Sequence, residues 1–169
     1  MVEAQFWSVI ESGGPDALDD PEQQLEAIQS ELSQLSPNEV RDFYKLFNQK
    51  MAYAYDWNLW GAAYLINGGC SDDGFAYFRA WLISRGQRVY EAAVQNPDSL
   101  VDIVDPERDD YEFEDIWYIA QDVYEELTGR EMPSVNVSEP IEPRGEQWDY
   151  HADEEITQRF PKLSKVYLA

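Results

Sequence analysis

The sequence predicts an all-α fold: a single compact, orthogonal or irregular bundle of about six or seven helices with an extended C-terminal arm. Apolar residues recur at helical spacing in one segment after another, and helix start and stop signals flank those segments. Alternating apolar and polar runs, which mark strands, are nearly absent. With 169 residues, of which 44% are hydrophobic and 14% aromatic, the chain suits one domain with a sizeable core.

Capping residues mark where the predicted helices begin. Asp20 precedes Pro21, which suits the first position of a helix because the amide that proline lacks would have no partner there. Ser36 and Glu39 have the spacing of a capping box, and Ser71 fits the N-cap of a later helix. In chain order, the predicted helices span residues 3–12, 20–35, 36–51, 57–67, 71–86, 87–95, 109–128 and, as a short last helix, 153–160.

Glycine and proline define the other predicted features. The small residues at 61–63 leave room for a neighbouring helix to approach closely, and the glycine pair at 68–69 fits a turn through positive φ. Three prolines between residues 130 and 147 exclude a continuous helix, so we expect an extended arm across the body. We therefore divide the chain into a helical domain, 1–130, and a segment, 131–169, whose arm and short helix pack on or near that domain.

The charge balance excludes some functions. The net charge is −22, from 34 acidic against 12 basic residues, and a field of that sign repels nucleic-acid phosphates and anionic membrane surfaces. Residues 98–131 hold thirteen acidic residues against two basic ones, which gives half of the net charge. A solvated helix face with acidic loops accounts for such a run. The same charge also fits a basic protein partner, or the mimicry of nucleic acid on another protein's surface.

Cysteine content and hydropathy bear on the compartment. The chain has one cysteine, Cys70, so it has no internal disulfide and is compatible with a reducing compartment. The N-terminus lacks a signal-peptide pattern, and no apolar run approaches the ~18 residues of a membrane span. We expect a cytoplasmic protein that does not associate with membranes and uses no cofactor.

One long motif and several shorter ones indicate a relationship. Residues 57–75 read WNLWGAAYLINGGCSDDGF. Shorter matching segments lie at 6–7, 77–83 with Gly86, 96–100 and 124–129. Together they resemble an uncharacterised bacterial family of domains of unknown function, over residues 3–130. The resemblance implies an all-helical domain and supplies no activity and no catalytic residues.

The start of the fifth predicted helix holds polar residues that could form a ligand site. A carboxylate pair beside an arginine can do acid–base work if it is buried in a concave pocket. Arg79 lies among apolar residues and so needs an acidic partner or a ligand anion; an ion pair with Asp72, Asp73 or another helix's carboxylate is the simpler prediction. The candidate ligand-binding residues are Asn67, Ser71, Asp72, Asp73, Arg79 and, from an aromatic stripe that also fits core packing, Trp60.

No catalytic or metal-binding set is predicted. Cys70 lies close to Asp72 and Asp73, which would raise the pKa of its thiol, and the sole histidine, His151, is far along the chain, so we expect an inert cysteine. A calcium loop would need a glutamate that the sequence lacks at the required offset, and zinc would need further cysteine or histidine ligands. The turn at 67–69 has no P-loop lysine and follows a helix rather than a strand.

Two classes of function remain. The leading hypothesis is a non-catalytic, acidic, helical interaction module that binds a protein partner through residues 98–131 and neighbouring aromatic residues. A regulatory or immunity-type protein acting on a basic toxin, or a nucleic-acid mimic, would be concrete versions of it. The alternative is a small-ligand-binding domain or an enzyme centred on the start of the fifth helix. The enzyme is less favoured because no catalytic set is recognisable.

Overall fold

Helices make up the regular structure of the protein. The computed structural model describes residues 1–168, and no strand occurs among them, which confirms the predicted all-α class. The α-helices are α1 (Glu3–Ile10), α2 (Pro21–Leu32), α3 (Pro37–Tyr53), α4 (Trp57–Ile66), α5 (Asp72–Ser84), α6 (Gln87–Gln95), α7 (Asp115–Thr128), α8 (Asp153–Arg159) and α9 (Pro161–Tyr167). Two 3-10 segments, Pro15–Asp19 and Pro97–Asp102, precede α2 and follow α6. The helices outnumber those expected because the C-terminal region forms α8 and α9 in place of one short helix.

The predicted helix caps form. The Asp20 carboxylate accepts a backbone amide of α2 at 3.1 Å, and Ser36 and Glu39 complete the capping box of α3. The Ser71 hydroxyl accepts an amide of α5 at 3.1 Å. These side chains satisfy amides that have no partner within their own helix, so they set where each helix begins.

The core lies between α1, α3, α5 and α7, and α7 contacts α2, α3 and α5. Fully buried phenylalanine side chains fill its centre: Phe6, Phe43, Phe47, Phe75 and Phe78. No helix within residues 1–168 has both the length and the apolar composition for a bilayer span.

The start of α7 differs from the prediction: the helix begins at Asp115 and not at Asp109. The amide of Tyr111 donates to Oδ1 of Asn67 at 3.2 Å, and Nδ2 of Asn67 donates back to the Tyr111 carbonyl at 3.4 Å. The amide of Phe113 donates to a carbonyl of α5 at 3.1 Å. Because these backbone groups are engaged with Asn67, which follows α4, and with α5, they are not available to an additional turn of α7.

The segment after the arm packs against α4. At Gly61 the close neighbour is the indole of Trp148, not a helix as the small residues at 61–63 had predicted, although α9 does contact α4 elsewhere. A Cβ at Gly61 would lie 2.9 Å from Cη2 of Trp148 and closer still to Cζ2. Only glycine therefore leaves the buried indole its present position.

Asp98 joins the second 3-10 segment to α9. Its side chain accepts the amide of Lys162 at 3.1 Å and the amide of Leu163 at 2.8 Å, in the first turn of α9. The residue is only 4% exposed. The expectation of a solvated acidic run at 98–131 therefore fails for Asp98, because the carboxylate caps a helix; the other twelve acidic residues of that run are exposed.

The arm runs without regular structure from the end of α7 to Gln147 and is hydrogen-bonded to the body at two places. Nη2 of Arg41 donates to the Ser134 carbonyl at 2.6 Å. Further along, Arg144 pairs with the α3–α4 connection: its amide donates to the Tyr55 carbonyl at 2.8 Å, and its carbonyl accepts the Trp57 amide at 2.9 Å. The predicted extended arm is confirmed.

Candidate functional site

A cleft of about 690 Å³ lies between α3, α5, α7 and the first half of the arm, and we call it the arm cleft. This volume falls within the range of about 300–1,000 Å³ that is usual for ligand sites. Its charged lining residues are Asp72, Asp73, Arg79 and Glu139. Its aromatic lining residues are Tyr44, Tyr55, Tyr77, Trp117 and Tyr118.

The aromatic wall is fixed by contacts between α3 and α7. Nε1 of Trp117 donates to Oδ1 of Asn48 at 3.0 Å, which orients the indole. The Trp117 and Tyr118 rings are stacked, with centroids 5.8 Å apart and an interplanar angle of 8°. Tyr118 is 41% exposed, so its ring is accessible from solvent. The charge of Glu114 raises the pKa of Tyr77, as expected in an acidic surrounding.

The carboxylates of the arm cleft lie at its rim. Asp72 and Asp73 are exposed in the first turn of α5, and Glu139 is exposed on the arm. Asp72 accepts a hydrogen bond from the Tyr55 hydroxyl at 3.2 Å. The predicted buried carboxylate pair is therefore not found: all three carboxylates are exposed to solvent.

Arg79 is the buried charge of the arm cleft, with 9% of its surface exposed. The expected ion pair does not form, since no carboxylate among residues 1–168 lies within 4.0 Å of its guanidinium. Instead Nη1 donates to the Met51 carbonyl at 2.7 Å and Nε to the Phe75 carbonyl at 3.3 Å. The Met51 carbonyl belongs to the last turn of α3, where carbonyls lack intrahelical partners and carry the negative end of the helix dipole.

Aromatic rings complete the surroundings of Arg79. The guanidinium carbon lies 4.7 Å from the Tyr55 ring centroid and 4.8 Å from that of Phe75, within cation–π range. Burial lowers the pKa of Arg79 to about 10, while the nearby Tyr55 and Asp72 act in the opposite direction. The group therefore remains a cation at neutral pH.

The other three predicted site residues serve the fold. Asn67 holds the Tyr111 backbone, and Ser71 caps α5. The Trp60 ring stacks between Trp57 and Phe75, with centroids 5.7 and 5.0 Å away, and its Nε1 donates to the Cys70 carbonyl at 3.0 Å. The structure thus brings together Asp72, Asp73 and Arg79 of the predicted set, and none of the remaining three lines the arm cleft.

The helical part of the chain matches a known protein family. A family model described as a protein of unknown function, DUF4240, matches residues 1–126. The chain belongs to the DUF4240 family. The predicted relationship to a family of domains of unknown function is thereby confirmed. No curated protein and no solved structure matches the chain.

The DUF4240 match ends within α7, so the arm lies beyond it. Arm residues that line the cleft, among them Met132, Val135 and Val137, were missed because no local motif marks them. Trp117 and Tyr118 carried a usable signal: adjacent helical residues point about 100° apart, so both cannot face the core. The sequence therefore indicates that one of the two rings lies outside the core.

Cys70 lies beside the site of this DUF4240 protein, and its surroundings disfavour the thiolate. Burial, with a smaller contribution from the charge of Glu112, raises the pKa of its thiol to about 12. Among residues 1–168, no three His, Cys, Asp or Glu side chains converge so as to hold a metal ion.

The reactivity of Cys70 gives a direct check. At pH 7.5 we expect the native protein to react with Ellman's reagent at least about a hundredfold more slowly than the urea-unfolded protein, because the unfolded thiol regains an ordinary pKa and access. The increase in absorbance at 412 nm measures both rates. Native and unfolded rates within a factor of three would contradict the raised pKa of the native thiol.

Proposed function

We propose that this protein is a non-catalytic, acidic, helical interaction module that binds a basic segment of a protein partner in the arm cleft. One observation carries the proposal: the exposed carboxylates of Asp72, Asp73 and Glu139 lie in the same cleft as reachable aromatic rings. Lysine and arginine side chains are attracted to both groups, to carboxylates by charge and to aromatic faces by the cation–π interaction.

The charge of the whole molecule supports a basic partner. With a net charge of −22, the protein attracts cations from beyond the contact distance. The acidic residues of α7 belong to the exposed run at 98–131, and α7 forms one wall of the arm cleft. None of these acidic residues lines the cleft itself, so they add to the long-range attraction, and recognition at short range falls to Asp72, Asp73 and Glu139.

The proposed role is regulatory or immunity-type. A module of this charge can cover the basic surface that a toxin or a nucleic-acid-binding protein uses, and it would exclude the natural ligand of that surface. The same charge opposes direct binding of this protein to nucleic acid or to anionic membranes. A cytoplasmic location is part of the proposal, since the single thiol of Cys70 needs no oxidising compartment.

A small-ligand site in the same cleft is the second candidate, and the buried cation Arg79 favours it. We propose ligand binding without catalysis for this candidate, because the carboxylates at the rim are solvated. A free small molecule and a protein segment would then compete for the same groups.

A charge-matched pair of variants tests the lead proposal. The partner captured at low salt from the protein's own cells is purified, and its affinity is measured by isothermal titration calorimetry. Asp73→Asn with Glu139→Gln should weaken binding about tenfold, since two rim ion pairs are each worth roughly 0.5–1 kcal/mol.

The control is Glu22→Gln with Glu26→Gln, which removes the same charge from exposed positions on α2 outside the arm cleft. We expect less than a twofold change for this pair. Equal losses for the two pairs would assign binding to net charge alone, and no loss for either would count against the cleft as the binding surface.

A further inference from the structure

The guanidinium of Arg79 has one nitrogen left for a ligand. Nε and Nη1 donate hydrogen bonds to carbonyls, whereas Nη2 has no hydrogen bond to any of residues 1–168. Although Nη2 has no protein partner, it is not shut off from solvent, so it faces the open side of the residue. Since Arg79 lines the arm cleft, that open side is the cleft.

Arg85, at the C-terminal end of α5, gives a contrast. It is partly buried, and both of its terminal nitrogens are engaged: Nη1 with the Leu18 carbonyl at 2.6 Å and Nη2 with the Gln24 side chain at 3.1 Å. Arg85 does not line the arm cleft. A buried arginine in this fold can thus be fully satisfied by protein atoms, and Arg79 is not.

The charges of the arm cleft are arranged by depth. A cation, Arg79, lies buried, and carboxylates occupy the exposed rim. A phosphate or another multiply charged anion would have to pass three carboxylates, which repel it. A carboxylate carries a single charge, and its approach is favourable if a cation of the same ligand stays at the rim. The complementary ligand is therefore zwitterionic, with its carboxylate leading.

We infer that the arm cleft recognises the free C-terminal carboxylate of a basic peptide, with Arg79 binding the carboxylate and Asp72, Asp73 and Glu139 holding a preceding lysine or arginine. This inference rests on the proposed function and specifies its partner. A chain terminus can reach a buried group end-on, and capture of a terminal carboxylate is an established mode of peptide recognition. The walls of tyrosine and tryptophan then pack on the residues between the two charges.

The test uses one pool of fluorescein-labelled hexapeptides, each with a fixed lysine and otherwise random uncharged residues. The pool is made once with a free C-terminal acid and once as the C-terminal amide, and binding is measured by fluorescence anisotropy. The wild-type protein should bind the acid pool at least about tenfold more tightly than the amide pool, the usual effect of one charged hydrogen bond. This comparison needs no protein variant.

Two variants then locate the effect. Arg79→Gln should reduce the ratio of acid to amide affinity to about one, whereas Arg85→Gln, which removes a partly buried arginine at the end of the same helix, should leave the ratio unchanged. Circular dichroism melts establish that each variant is folded. Ala76→Phe narrows the arm cleft from α5 while keeping the Arg79 guanidinium in the protein, and it should weaken the binding of both pools.

Several results would overturn the inference. They are equal wild-type binding of the two pools, a preference for the acid that survives in folded Arg79→Gln, and no binding of either pool. Equally tight binding of an amide pool with an internal glutamate would assign Arg79 to a side-chain carboxylate, and displacement by equimolar free lysine or arginine would assign the cleft to a free amino acid. A third pattern would separate the two proposals. If wild-type protein binds both pools equally and Asp73→Asn with Glu139→Gln abolishes that binding, the proposed function stands and only the role of the terminal carboxylate is removed.

Discussion

Gly61→Ala is expected to destabilise the protein by about 2–3 kcal/mol, because the added Cβ would overlap the Trp148 indole and force it out of its position. The cost arises even though alanine favours a helix over glycine by ~0.5–1 kcal/mol. Trp148→Ala alone should cost about 3 kcal/mol through loss of a buried aromatic side chain. In the Trp148→Ala background, Gly61→Ala should be neutral or stabilising by roughly 0.5–1 kcal/mol.

Urea unfolding followed by tryptophan fluorescence and circular dichroism gives the four free energies of this cycle. As a control, the penalty of Gly61→Ala should remain undiminished in a Trp117→Ala background, because Trp117 lies in the arm cleft and does not contact Gly61. The same penalty in all three backgrounds would mean that Trp148 does not pack on Gly61. The segment after the arm would then not belong to the folded body.

Asp98→Ala is expected to lower the free energy of unfolding by about 2–4 kcal/mol. The substitution leaves two amides at the start of α9 without an acceptor, the part-buried one of Lys162 and the buried one of Leu163, and a buried amide without a partner costs roughly 1–3 kcal/mol. Asp98→Asn retains one acceptor oxygen and should cost only about 1 kcal/mol. Urea unfolding measures both values, and limited proteolysis should reveal faster cleavage between α7 and α9 in Asp98→Ala.

Asp102→Ala is the matched control, since Asp102 ends the same 3-10 segment but is exposed. We expect a change within ~0.5 kcal/mol for this surface substitution. Similar losses in the free energy of unfolding for the two alanine variants would contradict the capping role of Asp98.

The helices were predictable where local chemistry decides them. Caps such as Ser36 and Ser71 act within three residues, so the sequence alone identifies them. The start of α7 was not predictable in this way. Its position depends on the pairing of Asn67 with Tyr111, which are 44 residues apart, and no pattern near Asp109 reveals that bond.

The candidate site was half predictable for the same reason. Asp72, Asp73 and Arg79 stand close together in the sequence, so a local reading finds them. The arm wall comes from a segment more than fifty residues further along the chain, and only the fold brings Glu139 into the same cleft as α5. The partner of Arg79 was mispredicted because its acceptors are backbone carbonyls, which every residue carries and which therefore leave no mark in a sequence.

The end of α3 has a consequence for any anion that enters the arm cleft. Three of its last carbonyls are engaged: that of Lys50 by the Tyr90 hydroxyl, that of Met51 by Arg79, and that of Ala52 by the Tyr55 amide. The guanidinium is thus oriented by neutral acceptors. An arriving anion need not break an ion pair or order a flexible side chain, so it would meet a preorganised cation whose charge is not neutralised by a carboxylate.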